Sequence, residues 1–166
     1  MPLIASRRTM IAGVGAGVAA LTAPAILRPA SAQSLAPTPT MRGGANNYRP
    51  GAPIVERIGG GGFRMTGSVR RAADGAPISG ARIQIWAHTT EGYESDPDSH
   101  GATLTDADGA FQMDMPQIVP AFGQPHGHLA YDAEYDSGAF ETVFLRPVMS
   151  SARDTGLEAH FVLAEA

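Results

Sequence analysis

The sequence contains no cysteine, no lysine and only one tryptophan in 166 residues. The absence of cysteine excludes disulfide bonds and thiolate metal sites. Any bound metal must therefore be held by histidine, tyrosine, aspartate or glutamate, which suit ferric iron, zinc or copper. Sixteen carboxylates outnumber twelve basic side chains, all of them arginine. This acidic balance argues against nucleic acids and anionic membrane surfaces as partners.

The sequence also lacks any segment that keeps a helical hydrophobic period for three turns. Instead, short apolar runs alternate with Gly/Asp turn signals such as Asp74-Gly75 and the turn 106–109. This pattern predicts an all-β protein, a single β-sandwich of about seven short strands. The predicted strands cover 63–70, 81–87, 104–105, 110–115, 127–131, 139–145 and 157–163. In the second of them we expect Trp86 to pack in the core with Ile83 and Ile85.

The first 32 residues have the features of an export signal. Arg7-Arg8 precedes an uncharged run, and Ala30-Ser31-Ala32 supplies a small-x-small cleavage site. The paired arginines resemble a twin-arginine signal, which predicts a protein exported to the periplasm. A membrane anchor is disfavoured because Gly, Thr and Pro interrupt the run. We therefore expect a signal peptide at 1–32, a flexible Pro/Thr/Ser-rich linker at 33–44 and one domain at 45–166, with no membrane contact after signal removal.

Two histidines, His126 and His128, are separated only by Gly127. Side chains on a strand repeat every two residues, so both imidazoles face the same side, roughly 7 Å apart. The pair could form half of a metal centre, or it could be a polar strand that happens to carry imidazoles. The spacing alone leaves both interpretations open.

Several motifs follow one another along the chain: Asn47-Tyr-Arg-Pro-Gly-Ala-Pro53, Gly80-Ala-Arg-Ile-Gln-Ile-Trp86, Glu91-Gly-Tyr93, Thr105-Asp-Ala-Asp-Gly109 and the His-x-His pair. Their succession resembles the intradiol ring-cleavage dioxygenases (catechol/protocatechuate dioxygenase-like), as a divergent member with an export signal. The resemblance covers about residues 45 to 147, although its middle part also occurs in transthyretin-like modules.

The resemblance implies a ferric iron, Fe(III), held by tyrosinate and histidine, which opens a catechol-like aromatic with O2. Tyr93, His126 and His128 match three family ligands and would be the catalytic metal site. At the place of the second tyrosine this chain has Phe122, and Gly123 stands where an arginine is expected. Further candidate ligands are His88, His100, Tyr131 and Tyr135, although the odd spacing of the last two from His128 points them at the other face of the strand.

Two alternatives remain open at this stage. One is a degenerate relative in which histidines hold zinc or copper, or no metal is bound, and the role is binding rather than catalysis. The other is a transthyretin-like structural module without metal. The resemblance also implies that an oligomer is possible, because members of that family often assemble through their sheets.

Overall fold

The computed structural model describes residues 32–166, so the signal peptide predicted at 1–32 lies, except for its last residue, outside the described residues. Seven strands and two single-turn 3-10 helices, Pro97–Ser99 and Ala133–Tyr135, form the domain. No helix between residues 32 and 166 has the length and apolar character needed to cross a bilayer. The strands are β1 (Phe63–Arg71), β2 (Arg82–Ala87), β3 (His100–Leu104), β4 (Ala110–Met115), β5 (Gly127–Tyr131), β6 (Val143–Leu145) and β7 (Gly156–Leu163).

The strands form two sheets, which confirms the predicted all-β sandwich. One sheet has the order β4-β1-β7 and the other the order β3-β2-β5-β6. Strands β1 and β7 are parallel, and the other pairs are antiparallel. The strand predicted at 139–145 begins four residues too early. Its first residues bond instead to the C-terminal segment, where Glu141 N–H donates to Ala164 O and Ala166 N–H donates to Ala139 O.

The hydrophobic core lies between the two sheets. Alternate residues of β1 and β2 face it, among them Met65, Ile83 and Ile85, none of which is exposed to solvent. On β5, Gly127 allows the sheets to approach closely, because a Cβ there would lie 2.5 Å from Cε of Met65. Strand β5, which contains His128 and directly follows His126, is therefore held directly against the opposite sheet.

The outer face of the four-stranded sheet is covered as well, by the irregular segment 44–54. Gln84 donates from Nε2 to the Arg49 carbonyl at 2.9 Å, and Trp86 donates from Nε1 to the Asn46 carbonyl at 2.9 Å. These contacts explain why every residue of β2 is buried. Trp86 is buried as predicted, but it lies on this outer side and not beside Ile83 and Ile85 in the core, since successive residues of a strand alternate in direction.

Two connecting segments are also ordered by hydrogen bonds. The turn predicted at 106–109 is confirmed, because Oδ1 of Asp106 accepts from the N–H groups of Asp108 and Ala110, both at 2.9 Å. The segment 33–44, predicted as a linker, lies along the sandwich. Its backbone N–H groups donate to carbonyls of the domain in the pairs Leu35 to Ala72, Thr38 to Val162 and Met41 to Phe144.

Candidate metal centre

Three buried side chains, those of Glu94, His126 and His128, converge on the outer side of the four-stranded sheet. His128 lies on β5, and His126 immediately precedes that strand. Glu94 comes from the loop between β2 and the first 3-10 helix. One potential ligand atom from each residue lies within 4.8 Å of the others. The predicted pairing of the two histidines on one side is therefore confirmed, and a carboxylate joins them.

The backbone sets the tautomer of His128. Its Nδ1 lies 3.0 Å from the carbonyl oxygen of Gly44, so Nδ1 carries the proton and donates it. Burial lowers the pKa of His128 below its ordinary value, which keeps the imidazole neutral near pH 7. Nε2 is then left with a free lone pair, and this atom has no hydrogen-bond partner among the described residues. This is the form in which histidine binds a metal.

His126 is oriented in the same manner. Its Nδ1 lies 2.8 Å from the carbonyl oxygen of Gln124, to which it donates. In the neutral imidazole Nε2 then carries the lone pair, and this atom lies 3.6 Å from Oε2 of Glu94. Metal-binding histidines commonly donate their second ring N–H to a backbone carbonyl in this way.

Glu94 directs one oxygen at the histidines and anchors the other. Oε1 accepts a 2.7 Å hydrogen bond from the side-chain amide of Asn47. Oε2 is buried, has no hydrogen-bond partner within residues 32–166, and lies 3.4 Å from Nε2 of His128. Asn47 itself has a left-handed backbone, with φ of 56°, a conformation that asparagine tolerates better than most residues.

The Nε2 atoms of His126 and His128 and Oε2 of Glu94 are arranged as ligands of a metal ion and not as hydrogen-bond partners of one another. The separations of 3.4 and 3.6 Å exceed the usual N–H···O range, and the facing atoms all carry lone pairs. Two atoms that each lie about 2.1 Å from one ion are about 3.0 Å apart at a right angle and about 3.4 Å apart at a tetrahedral angle. The buried cluster could therefore hold a metal, and a cation would satisfy the orphaned oxygen and nitrogen together.

Trp86 packs against the cluster by stacking on His128. Its indole stacks between His128, at a centroid distance of 5.1 Å, and His100, at 5.5 Å. His100 uses both ring nitrogens within the protein: Nε2 meets the carbonyl of Glu94 at 2.9 Å and Nδ1 meets the amide of Gln84 at 3.4 Å. His100, a candidate ligand by sequence, thus lies beside the cluster and holds the backbone of Glu94.

Tyr93 lies at the surface next to Glu94. Its side chain is 64% exposed, and its ring packs edge-on against His88 at a centroid distance of 4.8 Å. The two sequence candidates Tyr93 and His88 are therefore brought together, in a contact separate from the imidazole stack around Trp86. Coordination of a metal by Tyr93 remains a prediction.

The other two tyrosine candidates have different partners. Tyr131 faces the core, as its spacing from His128 predicted, and donates from its hydroxyl to Asp136 at 2.9 Å. Burial raises the pKa of Tyr131 to about 12, so it stays a neutral hydrogen-bond donor. Tyr135 is 40% exposed and lies under the guanidinium of Arg82, 5.8 Å from the ring centroid.

A surface cavity of about 310 Å³ leads to the cluster. Its lining includes Glu94, His126, the exposed Phe122 and the half-buried Arg146. Phe122, which stands where the resemblance expects a tyrosine, is 95% exposed. Arg146 follows β6 and places Nη2 3.3 Å from Nδ1 of His126. An arginine is therefore present beside the histidines, although it comes from a different part of the chain than the resemblance suggests.

The sequence patterns did not identify Glu94, Asn47 and Arg146 as site residues. Glu94 directly follows Tyr93, and in a turn the neighbouring side chain can point inward while the tyrosine points outward. Asn47 lies within the Asn47–Pro53 motif. The motif drew attention to this segment, but it did not predict the hydrogen bond from Asn47 to Glu94. Nothing local in the sequence distinguishes Arg146 from the other arginines.

Comparison with known proteins supports the fold. No family profile and no curated protein sequence matches the chain. Among solved structures, it resembles the dioxygenase domain of a dioxygenase–carbohydrate-binding fusion from Streptomyces sp. SirexAA-E (20% identity, 79% of this chain and 100% of that one, TM-score 0.57). It also resembles hydroxyquinol 1,2-dioxygenase from Pseudomonas putida DLL-E4 (16%, 81% and 68%, 0.56) and 3-chlorocatechol 1,2-dioxygenase from Rhodococcus opacus 1CP (15%, 72% and 69%, 0.53). The chain therefore has the β-sandwich fold of the intradiol dioxygenases.

Proposed function

We propose that this protein is a mononuclear iron-dependent dioxygenase that opens the ring of a catechol-like aromatic with O2. The observation that carries the proposal is the pair of orphaned, buried ligand atoms, Oε2 of Glu94 and Nε2 of His128, which face each other at 3.4 Å. The shared fold with ring-cleaving enzymes supports the reaction class by analogy.

The donor set suits iron. Two histidines and one carboxylate with open positions are typical of non-haem iron oxygenases. Phenolate ligands favour the ferric state that the resemblance implies, and Tyr93 is the sequence candidate for such a ligand. A site completed by Glu94 instead has the donor set of Fe(II) oxygenases. When bound, iron would supply the redox chemistry by which O2 reacts with the ring.

The chain's own residues have defined tasks in this proposal. The carbonyls of Gly44 and Gln124 fix both imidazoles with their Nε2 atoms toward the site. Asn47 holds the carboxylate of Glu94, so little reorganisation is needed when a cation binds. The cavity beside His126 lets a small aromatic approach the ligands, while the covering segment 44–54 shields His128 from water.

The test begins with the mature chain, residues 33–166, loaded separately with Fe(II), Fe(III) and Zn(II). We expect stoichiometric iron by elemental analysis, and O2 consumption with at least one ring from a panel that includes catechol and hydroxyquinol. Glu94→Gln should lose both metal and activity. His160→Ala is the matched control, because that histidine is exposed and contacts Ser68 and Glu158 far along the sequence from the cluster residues.

Two outcomes would contradict the proposal. If no metal binds, or if His126→Ala combined with His128→Ala keeps the full metal content, the cluster is not the site. If iron binds but no aromatic of the panel drives O2 consumption, the dioxygenase assignment fails while the metal centre stands.

The second candidate function is a metal-binding sandwich without catalysis, with zinc or copper held by the same cluster. The phenylalanine at position 122 favours it, because phenylalanine cannot coordinate where the resemblance expects a tyrosine ligand. Tight, stoichiometric zinc binding together with inert iron-loaded protein would support this alternative.

Export to the periplasm by the twin-arginine route is proposed alongside this function. Its support is Arg7-Arg8, the uncharged run and Ala30-Ser31-Ala32. Replacement of Arg7 and Arg8 by lysine should leave the protein in the cytoplasm of a host that has this pathway, as measured by cell fractionation. Unchanged periplasmic recovery would instead point to general secretion.

A further inference from the structure

Three exposed apolar side chains surround the mouth of the cavity beside the candidate metal centre. Seven large hydrophobic side chains are exposed among residues 32–166, and Met41, Phe122 and Val148 are three of them. Each of the three either lines this cavity or contacts a residue that lines it. Single exposed hydrophobic residues are normal on a protein surface, whereas a group of them around a cleft marks a binding site. We call these three residues the apolar rim.

Backbone pairing directs Val148 to the side of the sheet that carries the metal cluster. His126 and Val148 are opposite each other in an antiparallel bridge, next to a 3.1 Å hydrogen bond from Gly127 N–H to the Pro147 carbonyl. Directly opposite residues of an antiparallel pair project to the same side, with their Cβ atoms about 4.5–5.5 Å apart. Because His126 lines the cavity and Val148 does not, Val148 extends the binding surface outward from the cavity.

Met41 is fixed beside Arg146 by its sulfur. Sδ of Met41 accepts a 3.3 Å hydrogen bond from the backbone N–H of Arg146, and the Met41 N–H donates to the Phe144 carbonyl at 2.8 Å. The guanidinium of Arg146 reaches His126, so its alkyl stem extends from Met41 toward the cavity and continues the apolar surface. A thioether side chain adapts to apolar ligands of varied shape, which makes methionine common on binding surfaces.

Phe122 projects into water from the loop between β4 and β5. It is 95% exposed and has a left-handed backbone with φ of 53°, followed by Gly123 with φ of 121°. A left-handed φ is unfavourable for a bulky residue, and such strain clusters at positions that hold ligands. The free protein gains nothing from an aromatic ring held in water in this conformation, whereas a bound apolar group would cover the face of the ring.

The cavity and the apolar rim together fit a ligand with two parts. The cavity measures about 310 Å³, at the lower end of the range of roughly 300–1,000 Å³ for small-molecule sites, so a single aromatic ring suits it. Met41 and Val148 do not line the cavity, so a ring inside it leaves both side chains in water. A ligand that uses the whole surface must therefore carry an apolar substituent that extends from the ring out of the cavity.

We propose that the apolar rim binds an alkyl chain of several carbons on a phenolic ring whose polar edge enters the cavity. The ligand class is therefore amphiphilic: alkylphenols and alkylcatechols, rather than unsubstituted rings. As a substrate assignment this rests on the proposed function, whereas binding of the chain itself requires no metal. Each methylene that is fully buried against the rim tightens binding by up to about fourfold.

The test is a ligand-observed NMR titration of the metal-free mature protein with phenol, 4-ethylphenol, 4-butylphenol and 4-hexylphenol. The readout is the affinity for 4-hexylphenol divided by that for phenol, because this ratio cancels any change in binding of the ring alone. We expect a ratio of about ten or more in the wild type, since the chain is partly buried. Phe122→Ser should lower the ratio about threefold or more, and Val148→Ser about twofold. Leu104→Ser is the matched control, because Leu104 is an exposed leucine of β3 outside the cavity lining.

Three results would overturn the inference. The first is a ratio near one in the folded wild type, and the second is a ratio that Phe122→Ser and Val148→Ser leave unchanged. The third is self-association in sedimentation experiments that Phe122→Ser abolishes, without any dependence of binding on chain length, because a second copy of the chain then covers the rim. Thermal unfolding of each variant identifies any that fail to fold.

The outcomes also separate this inference from the proposed function. Binding that depends on chain length and on Phe122, in a protein that takes up no iron, supports the rim and sinks the dioxygenase. In iron-loaded protein that consumes O2, a higher kcat/KM for 4-hexylcatechol than for catechol that disappears in Phe122→Ser supports both. Equal kcat/KM for the two catechols overturns the rim as a substrate-binding surface and leaves the dioxygenase standing.

Discussion

Both faces of the four-stranded sheet are largely buried, and they differ in how their polar atoms are satisfied. The inner face packs apolar side chains against the other sheet, and Tyr131, a polar residue on it, donates to Asp136. The outer face carries Gln84, Trp86 and His128 beneath the segment 44–54. Of these two faces, the outer one leaves a buried ring nitrogen without a partner, that of His128.

The same contrast separates the two histidines that stack on Trp86. Both ring nitrogens of His100 have hydrogen-bond partners, so this histidine has a structural role. His128 has one partner and aims its second nitrogen at a carboxylate oxygen that also lacks one. Burial and stacking are alike in the two cases, so unused bonding capacity is what marks a site.

The largest effect is expected from neighbouring residues of β5 that face opposite ways. His128→Ala should lower metal affinity by more than about 100-fold, because loss even of groups that only orient ligands costs about 10- to 100-fold. Leu129→Ala should lower the unfolding free energy by about 2–5 kcal/mol and leave the metal stoichiometry unchanged. Calorimetric metal titration and denaturant unfolding measure the two quantities. If both variants lose stability and metal to the same extent, the two faces of the sheet do not have separate roles.

Removal of the amide that holds Glu94 should have an intermediate effect. In Asn47→Gly, the glycine adopts the φ of 56° without strain, and the 2.7 Å hydrogen bond to Oε1 of Glu94 is lost. Metal affinity should therefore fall about 10- to 100-fold. Asn46→Ala is the matched control, because the bond from Trp86 uses the backbone carbonyl of Asn46. Metal affinity that is equal in wild type and Asn47→Gly would show that Glu94 needs no anchor.

The buried tyrosine of the inner face should make the stability of the protein depend on pH in the alkaline range. The pKa of Tyr131 is raised to about 12 from 10.0, so the unfolded chain loses this proton first and stability declines as pH rises between those values. The decline should amount to about 1–3 kcal/mol, at about 1.4 kcal/mol per pH unit. Tyr131→Phe should flatten it, measured by denaturant unfolding between pH 9 and 12 (a window of about three units around the two pKa values). An unchanged slope in that variant would remove Tyr131 as the cause.

The smallest effect is expected at the surface. With Glu94 as third ligand, Tyr93→Phe should leave metal content unchanged, since the tyrosine is 64% exposed and packs on His88. Elemental analysis and the visible spectrum of the iron-loaded protein provide the measurement, with Tyr135→Phe as a second exposed tyrosine. Loss of iron together with a visible band in Tyr93→Phe alone would establish Tyr93 as a ligand.

Much of the fold could be predicted because strand signals are local. Alternation and turn residues placed β4 and β5 at their observed bounds, and the His-x-His spacing placed both imidazoles on one side. The strand predicted at 139–145 was too long because its first residues pair with the C-terminal segment, which no local pattern records. The side of the sheet on which Trp86 lies was predicted wrongly for a related reason. Segment 44–54 covers the outer face of β2, so residues on both faces of this strand are buried.

The sequence by itself determined the donor types, the strand spacing and the exclusion of thiolate chemistry, because composition and period-two geometry are properties of the chain alone. Only the tertiary structure decided which donors meet. Asn47 reaches Glu94 across 47 residues, Gly44 reaches His128 across 84, and Arg146 reaches His126 across 20. Those contacts depend on how a loop and a covering segment pack against the sheet, and side-chain direction in irregular backbone has no period that a sequence can display.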